Sequence, residues 1–273
     1  MLGTQLQTPR SRTGPLGRPS TLLALLLLTA GAAAAEEPGA NAEAAASTPS
    51  QTQPDFRFSA PGNSFGVRGG WTFNRAEGEI YDFLTDQLTL RSSDFNAPTL
   101  AVDFSWRLSA RIDAVIGFEY SSRSKRSEFR DFVDTLGIPI VQDTRLTQVP
   151  LTLSLKLYLT DRGRQVGRYA WVPATVIPYV GAGAGYTWYR LEQDGEFVDF
   201  VDLSIFEDRF VSDGWTIAAH AFAGLELKLN PSLGLVVEGR YQWASTDLGD
   251  SFVGFEPIDL NGARAMVGVN WKF

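Results

Sequence analysis

The end of the chain alternates strictly between two kinds of side chain. Ala263, Ala265, Val267, Val269, Trp271 and Phe273 point one way, and Arg264, Met266, Gly268, Asn270 and Lys272 point the other. A period of two sends successive side chains to opposite faces of a strand, so one face is continuously apolar and ends in aromatics while the other carries charge. A soluble sheet would bury the apolar face and leave the charges outside. A barrel that crosses a bilayer exchanges the two.

The same pattern recurs upstream. Leu233, Leu235, Val237, Gly239, Tyr241 and Trp243 alternate with Gly234, Val236, Glu238, Arg240 and Gln242, and Trp215, Ile217, Ala219, Ala221, Ala223, Leu225 and Leu227 alternate with Ala218, His220, Phe222, Gly224, Glu226 and Lys228. Val180, Ala182, Ala184, Tyr186 and Trp188 stand against Tyr179, Gly181, Gly183, Gly185 and Tyr189, and Val149, Leu151, Leu153, Leu155 and Leu157 stand against Gln148, Thr152, Ser154, Lys156 and Tyr158. Three earlier runs complete the set: Ile116, Phe118 and Tyr120 against Asp113 and Glu119; Leu100, Val102, Phe104 and Trp106 against Asp103 and Arg107; Phe65, Val67, Trp71 and Phe73 against Arg68 and Thr72. The spacing predicts an all-β fold, an eight-stranded antiparallel up-and-down transmembrane β-barrel.

Connections between the runs alternate long and short, as bacterial barrels require of their outer loops and periplasmic turns. Residues 75–98, 124–145, 191–214 and 245–260 read as four long extracellular loops, and 109–111 and 230–232 as tight turns. The stretch 161–174 is longer than a turn should be. Both termini then fall on the periplasmic side. Outward aromatics sort into two girdles: Trp71, Phe73, Phe118, Tyr120, Tyr186, Trp188, Trp215, Tyr241 and Trp243 on the loop side, and Phe65, Trp106, Trp271 and Phe273 on the turn side.

Arg10, Arg12 and Arg18 precede the apolar run Leu22 to Ala35, which is shorter than the roughly 20 residues of a spanning helix and reads as a secretory signal peptide over 1–35. Residues 36–61, rich in Ala, Pro, Ser, Thr and Gln, have little to bury and are expected to be a disordered periplasmic lead-in. The barrel domain is 62–273. There is no cysteine, hence no disulfide and no lipid-modified cysteine.

The strand Pro178-Tyr-Val-Gly-Ala-Gly-Ala-Gly-Tyr186, the hairpin from Ala223 to Leu235 and the end Gly268-Val-Asn-Trp-Lys-Phe273 make residues 62–273 resemble the small outer-membrane β-barrel superfamily of the OmpA transmembrane domain, OmpX and OmpW. The resemblance implies an outer-membrane location in a Gram-negative envelope, and an assembly signal in Val267, Val269, Trp271 and Phe273. It also implies barrel-assembly machinery and periplasmic chaperones as partners during biogenesis. No peptidoglycan-binding domain is expected after the last strand.

Eight strands leave an interior that side chains nearly fill. Inward positions carry Arg68, Arg107, Lys156, Lys228, Arg240, Arg264 and Lys272 against Asp103, Asp113, Glu119, Glu226 and Glu238, expected to pair into an ion-pair network that plugs the barrel. A narrow channel for small or hydrophobic solutes is the alternative, with lateral exit at a seam weakened by Pro150 and Pro178. Local bulges are the plainer account of those prolines. Gly181, Gly183 and Gly185 are expected to make room for bulky neighbours such as Tyr158 or Phe222.

A lipid-modifying hydrolase is a further alternative. Eight-stranded lipid A deacylases carry an outward His-x-Ser pair, whereas this chain reads His220-Ala221-Phe222 facing inward, so no catalytic role is transferred, and neither a cofactor nor a metal site is expected. In the third loop Glu192, Asp194, Glu196, Asp199, Asp202, Glu207, Asp208 and Asp213 interleave with Phe197, Val201, Ile205 and Phe206, and the fourth loop adds Asp247, Asp250, Glu256 and Asp259. This rim is either solvated charge or a seat for cations or a cationic ligand. Arg123, Lys125, Arg126 and Arg130 are expected to meet phosphates of lipid or lipopolysaccharide. With a net charge of -7, nucleic acid is excluded as a partner. The sequence therefore points to a non-enzymatic outer-membrane barrel serving envelope organisation or surface interaction through its loops, with an unknown extracellular ligand.

Overall fold

Eight strands close on themselves into a ring. The computed structural model describes residues 56–199 and 201–273. In chain order the elements are β1 (Asn63–Asn74), α1 (Glu79–Gln87), β2 (Ala97–Arg107), β3 (Ile112–Val133), β4 (Pro139–Tyr158), β5 (Gly163–Val166), β6 (Ala170–Pro173), β7 (Val176–Val198), β8 (Ile205–Lys228), β9 (Leu233–Thr246), β10 (Ile258–Asp259) and β11 (Gly262–Lys272). The wall runs β1-β2-β3-β4-β7-β8-β9-β11, every neighbouring pair antiparallel, and β11 returns to β1. The polarity is inside out. Ile217 is 71% exposed, Leu153 61% and Trp271 58%, whereas Glu238, Arg264 and Lys156 on the inner face are each 3% exposed.

The wall has two heights. β3, β4, β7 and β8 run far beyond the loop-side aromatics, while β1, β2, β9 and β11 stop near them. Two of the four expected long loops are therefore corrected: most of 124–145 and 191–214 is strand, with only a short turn at 134–138 between β3 and β4 and a short connection between Val198 and Ile205. The alternation fades there because the outer face leaves the apolar belt. Charges replace aliphatics, with Arg126 opposite Asp143 and Asp194 opposite Arg209, and such cross-strand pairs hold a ladder without apolar spacing.

Residues 75–96 and 247–261 fill the low side as a lid. Glu79 and Asp82 sit in the first turn of α1, where they favour the positive end of the helix dipole, and Ile80, Tyr81 and Leu84 form one apolar stripe at helical spacing. That stripe is buried against Leu90, Phe95, Ile140, Leu146, Tyr189, Leu191, Ile258 and Leu260, a core built across the loop-side mouth. The Tyr81 hydroxyl donates to the Asp259 carbonyl at 2.9 Å, and burial pushes its phenol well above the ordinary range. Leu88 extends the lid by bridging to Phe129 at the edge of β3.

At the opposite end β5 and β6 form a small hairpin within the connection 161–174. The expected signal peptide and residues 36–55 of the lead-in lie outside the described residues. Residues 56–61 are described and lie against this end: the backbones of Arg57 and Trp171 exchange hydrogen bonds of 2.9 and 2.7 Å. The Arg57 guanidinium donates to Ser232 Oγ and to the Lys272 carbonyl, both at 2.8 Å.

The inward glycines of β7 do two different jobs. A Cβ on Gly181 would lie 2.2 Å from the Phe222 ring, as expected, but one on Gly185 would meet the Leu151 carbonyl oxygen at 2.0 Å. Gly183 and Gly185 thus let β7 press against the backbone of β4 instead of accommodating a large side chain. A carbonyl held in a ladder cannot swing aside. Gly185→Ala is expected to destabilise the barrel by about 3 kcal/mol, the upper part of the overpacking range, read as a lower urea midpoint in lipid vesicles; an unchanged midpoint would refute the close approach.

Candidate functional site: the filled barrel interior

The interior is filled by charges and hydrogen bonds, one linked network towards the lid and smaller groups towards the turns. Uppermost, Arg264 donates to the side-chain oxygens of Gln242 at 3.1 Å and Gln148 at 3.4 Å, and its Nε lies 3.2 Å from Glu119. Glu119 also pairs with Arg240, which reaches Glu238 at 3.0 Å. Glu238 accepts from the Tyr179 hydroxyl at 2.8 Å and lies 3.9 Å from Arg68. Arg68 in turn pairs with Asp103 at 2.5 Å. These groups come from seven strands, β1, β2, β3, β4, β7, β9 and β11, so the network ties the wall together across its lumen.

Lower down, Lys156 lies 3.8 Å from the Tyr179 ring centroid and 5.0 Å from that of Tyr158, a cation held on aromatic faces. Glu226 pairs with Lys272 and accepts from Asn270 at 3.1 Å. Asp113 accepts from the Tyr158 hydroxyl at 2.9 Å and pairs with Arg162 at 2.8 Å. Of the predicted network residues, ten are drawn into these contacts. Arg107 instead donates to the Ser109 carbonyl at 3.2 Å and points to the turn-side rim. Lys228 stands half-buried near the same rim. Arg162 joins the network from the connection 161–174, where no alternation assigns a direction and the sequence therefore did not place it in the lumen.

His220 takes part in an arrangement with nucleophilic character. Its Nε2 is 2.8 Å from Ser154 Oγ, a spacing typical of a serine and its base. Among the described residues no third group bonds Nδ1, and both side chains are buried. Phe222 stacks at 5.9 Å on one side, while a Cβ on Gly183 would lie 2.6 Å from Ser154 Oγ on another. The pair was missed because the serine was sought beside the histidine on one strand, whereas it faces it from β4.

Other predicted features divide. β4 pairs with β7 in unbroken register from Gln142 to Tyr158, and β7 with β8 through Pro178, so neither proline forms a bulge in these ladders, while the ladder between β3 and β4 lapses at Val149 and Pro150. Of the basic cluster, Arg123 lies over the Trp71 ring at 5.8 Å, Lys125 pairs with Asp94 at 3.7 Å and Arg130 donates to the Thr85 carbonyl at 3.2 Å. Lys125 and Arg130 hold the lid connection and Arg123 covers a belt tryptophan of β1, leaving Arg126 on the outer face. Trp71, Phe73, Phe118, Tyr120, Tyr186, Trp215 and Trp243 are exposed on the loop side, and Phe65, Trp106, Trp271 and Phe273 on the turn side, with Val267 and Val269 exposed between them. Trp188, opposite Trp215, and Tyr241, packed on Trp243, are half-buried in the upper belt.

Two cavities flank the filled lumen. A void of about 20 Å³ at the turn end is lined by Arg107, Asp113, Tyr158, Arg162, Trp171, Glu226 and Lys272 among others, which is room for about one water. A groove of about 780 Å³ lies along β3, β4 and β7 above the belt.

No family model matches the chain, and no curated protein matches it. Among solved structures it is similar to Neisserial surface protein A at 11% identity, covering 81% of this chain and 98% of that one with a TM-score of 0.43. Ail, the attachment invasion locus protein of Yersinia pestis, matches at 14% identity, 78% and 100% coverage and a TM-score of 0.39. The outer membrane protein W of E. coli matches at 20% identity, 78% and 98% coverage and a TM-score of 0.37. All three are small outer-membrane β-barrels, the class that the sequence resembles.

Proposed function

We propose that the chain is an integral outer-membrane barrel with a sealed interior and both termini periplasmic, non-enzymatic, serving envelope organisation or surface interaction through its tall outer end. One observation carries this reading: the outer surface is apolar between two aromatic rims, while the lumen is occupied from lid to turns by paired charges. An exposed aliphatic band of this size is stable in lipid and unstable in water. A lumen of side chains bonded to one another leaves no file of water for ions to follow. The lid adds a dry apolar layer across the mouth, built from α1 and the 247–261 connection.

The test is electrical. Refolded protein in a planar bilayer, with folding verified by a heat-dependent shift in gel mobility, is expected to give no discrete currents. Reproducible openings that change conductance or ion selectivity in Arg240→Ala would overturn the sealed interior in favour of a narrow channel.

A further inference from the structure

We infer that the outer face of the tall wall is a docking surface for a cationic amphipathic polypeptide. This rests on the reading of that end as extracellular and specifies what it meets. Above the aromatic belt the outward positions of β3, β4, β7 and β8 carry charge in rows. Asp143 stands directly opposite Asp194, with Arg126 and Arg209 only at the flanks, and in the next row Glu196 stands directly opposite Glu207. Asp143 and Asp194 are balanced by Arg126 and Arg209 in their own row, whereas Glu196 and Glu207 face each other with no arginine in theirs; like charges placed opposite each other repel, so negative potential remains at the upper end of the face.

Apolar side chains crown the same face. Leu136 is 81% exposed, Ile138 55%, Val201 93% and Leu203 61%, all at the tips of the two tall hairpins. The groove of about 780 Å³ joins the two features: Ile138, Pro139 and Val141 line it together with the carboxylates of Asp143, Glu192, Asp194 and Glu196, which outnumber the guanidinium groups of Arg126 and Arg145 there. These apolar tips are out of reach of the protein's own bilayer, because β3 continues from Tyr120 in the belt to Val133, about 40 Å of strand at ~3.3 Å per residue.

The occupant must satisfy both halves of the surface. A metal ion or polyamine would answer the carboxylates and leave the tips wet, while a nucleic acid or an acidic polysaccharide would be repelled. A polypeptide with basic residues on one side and large apolar ones on the other fits. Opposite charge steers its approach, and burial of the tips anchors it.

The probe is a fluorescently labelled helix of lysine and leucine, titrated by anisotropy against the protein in nanodiscs. Its controls are a glutamate/leucine helix and a lysine/serine peptide. Saturable, salt-weakened binding of the lysine/leucine helix alone is expected. Asp143→Asn with Asp194→Asn should weaken it ~10-fold and flatten its salt dependence, whereas Leu136→Ser with Ile138→Ser should weaken it while keeping the salt slope. All four side chains lie on the outer face or at a turn, so folding persists and is checked by gel mobility.

Equal binding of either control peptide, or unaltered binding by both double variants, would overturn the inference. A folded barrel that neither conducts nor binds the helix would overturn it and leave the proposed function standing. Discrete currents with binding intact would overturn the sealed interior alone.

Discussion

Glu238→Ala is expected to destabilise the folded barrel by about 3–5 kcal/mol, the usual cost of removing one partner from a buried ion pair. Glu238 stands between Arg68 and Arg240 and also accepts the Tyr179 hydroxyl. Its loss leaves two buried guanidinium groups dependent on Asp103 and Glu119 alone, and removes the acceptor of a buried phenol. Neither arginine can swing into water, since both are less than a tenth exposed. The measurement is urea unfolding in lipid vesicles followed by tryptophan fluorescence. Glu238→Gln, which keeps an acceptor for Tyr179 while discarding the charge, should fall between the two. If Glu238→Ala unfolded at the same urea concentration as the parent, the interior charges would not be a structural network.

The membrane-spanning half of this fold was legible because two non-aqueous environments constrain it at once. Lipid requires Leu151, Leu153 and Leu155 to be apolar, and the packed lumen requires Thr152, Ser154 and Lys156 between them to find partners, so the period of two is nearly uninterrupted. Above the belt only the inner face is constrained. Leu146 and Leu191 pack on the lid while Arg145 meets solvent and Glu192 pairs with Arg209, and the pattern there resembles a polar loop. The lid was hidden for another reason: α1 is a single short amphipathic helix whose three buried residues become apolar anchors only when β4 and β7 rise beside it. Sequence assigned side chains to the lumen without assigning their partners, because Glu119 and Arg240 are 121 residues apart and their meeting depends on closure of the ring.

The lid and the charge network are two barriers in series, and one substitution separates them. Leu84 is completely buried in the lid core, and its truncation alone falls in the 2–5 kcal/mol range for large apolar side chains. Leu84→Asp adds a carboxylate that the core cannot hydrate. The expected result is release of the helix from the tall wall, since α1 is tied to β3 chiefly through Leu88, Phe129 and Arg130, at the edge of that core. Chymotrypsin should then cut near Tyr81 and Phe83 at least ~30-fold faster, the factor that 2 kcal/mol represents, while the heat-dependent gel shift stays intact because no barrel strand has lost a partner. Planar bilayers should remain silent, as Arg264, Glu119, Arg240 and Glu238 still fill the lumen below. Currents in Leu84→Asp would instead make the lid the only seal, and the charges beneath it the lining of a path.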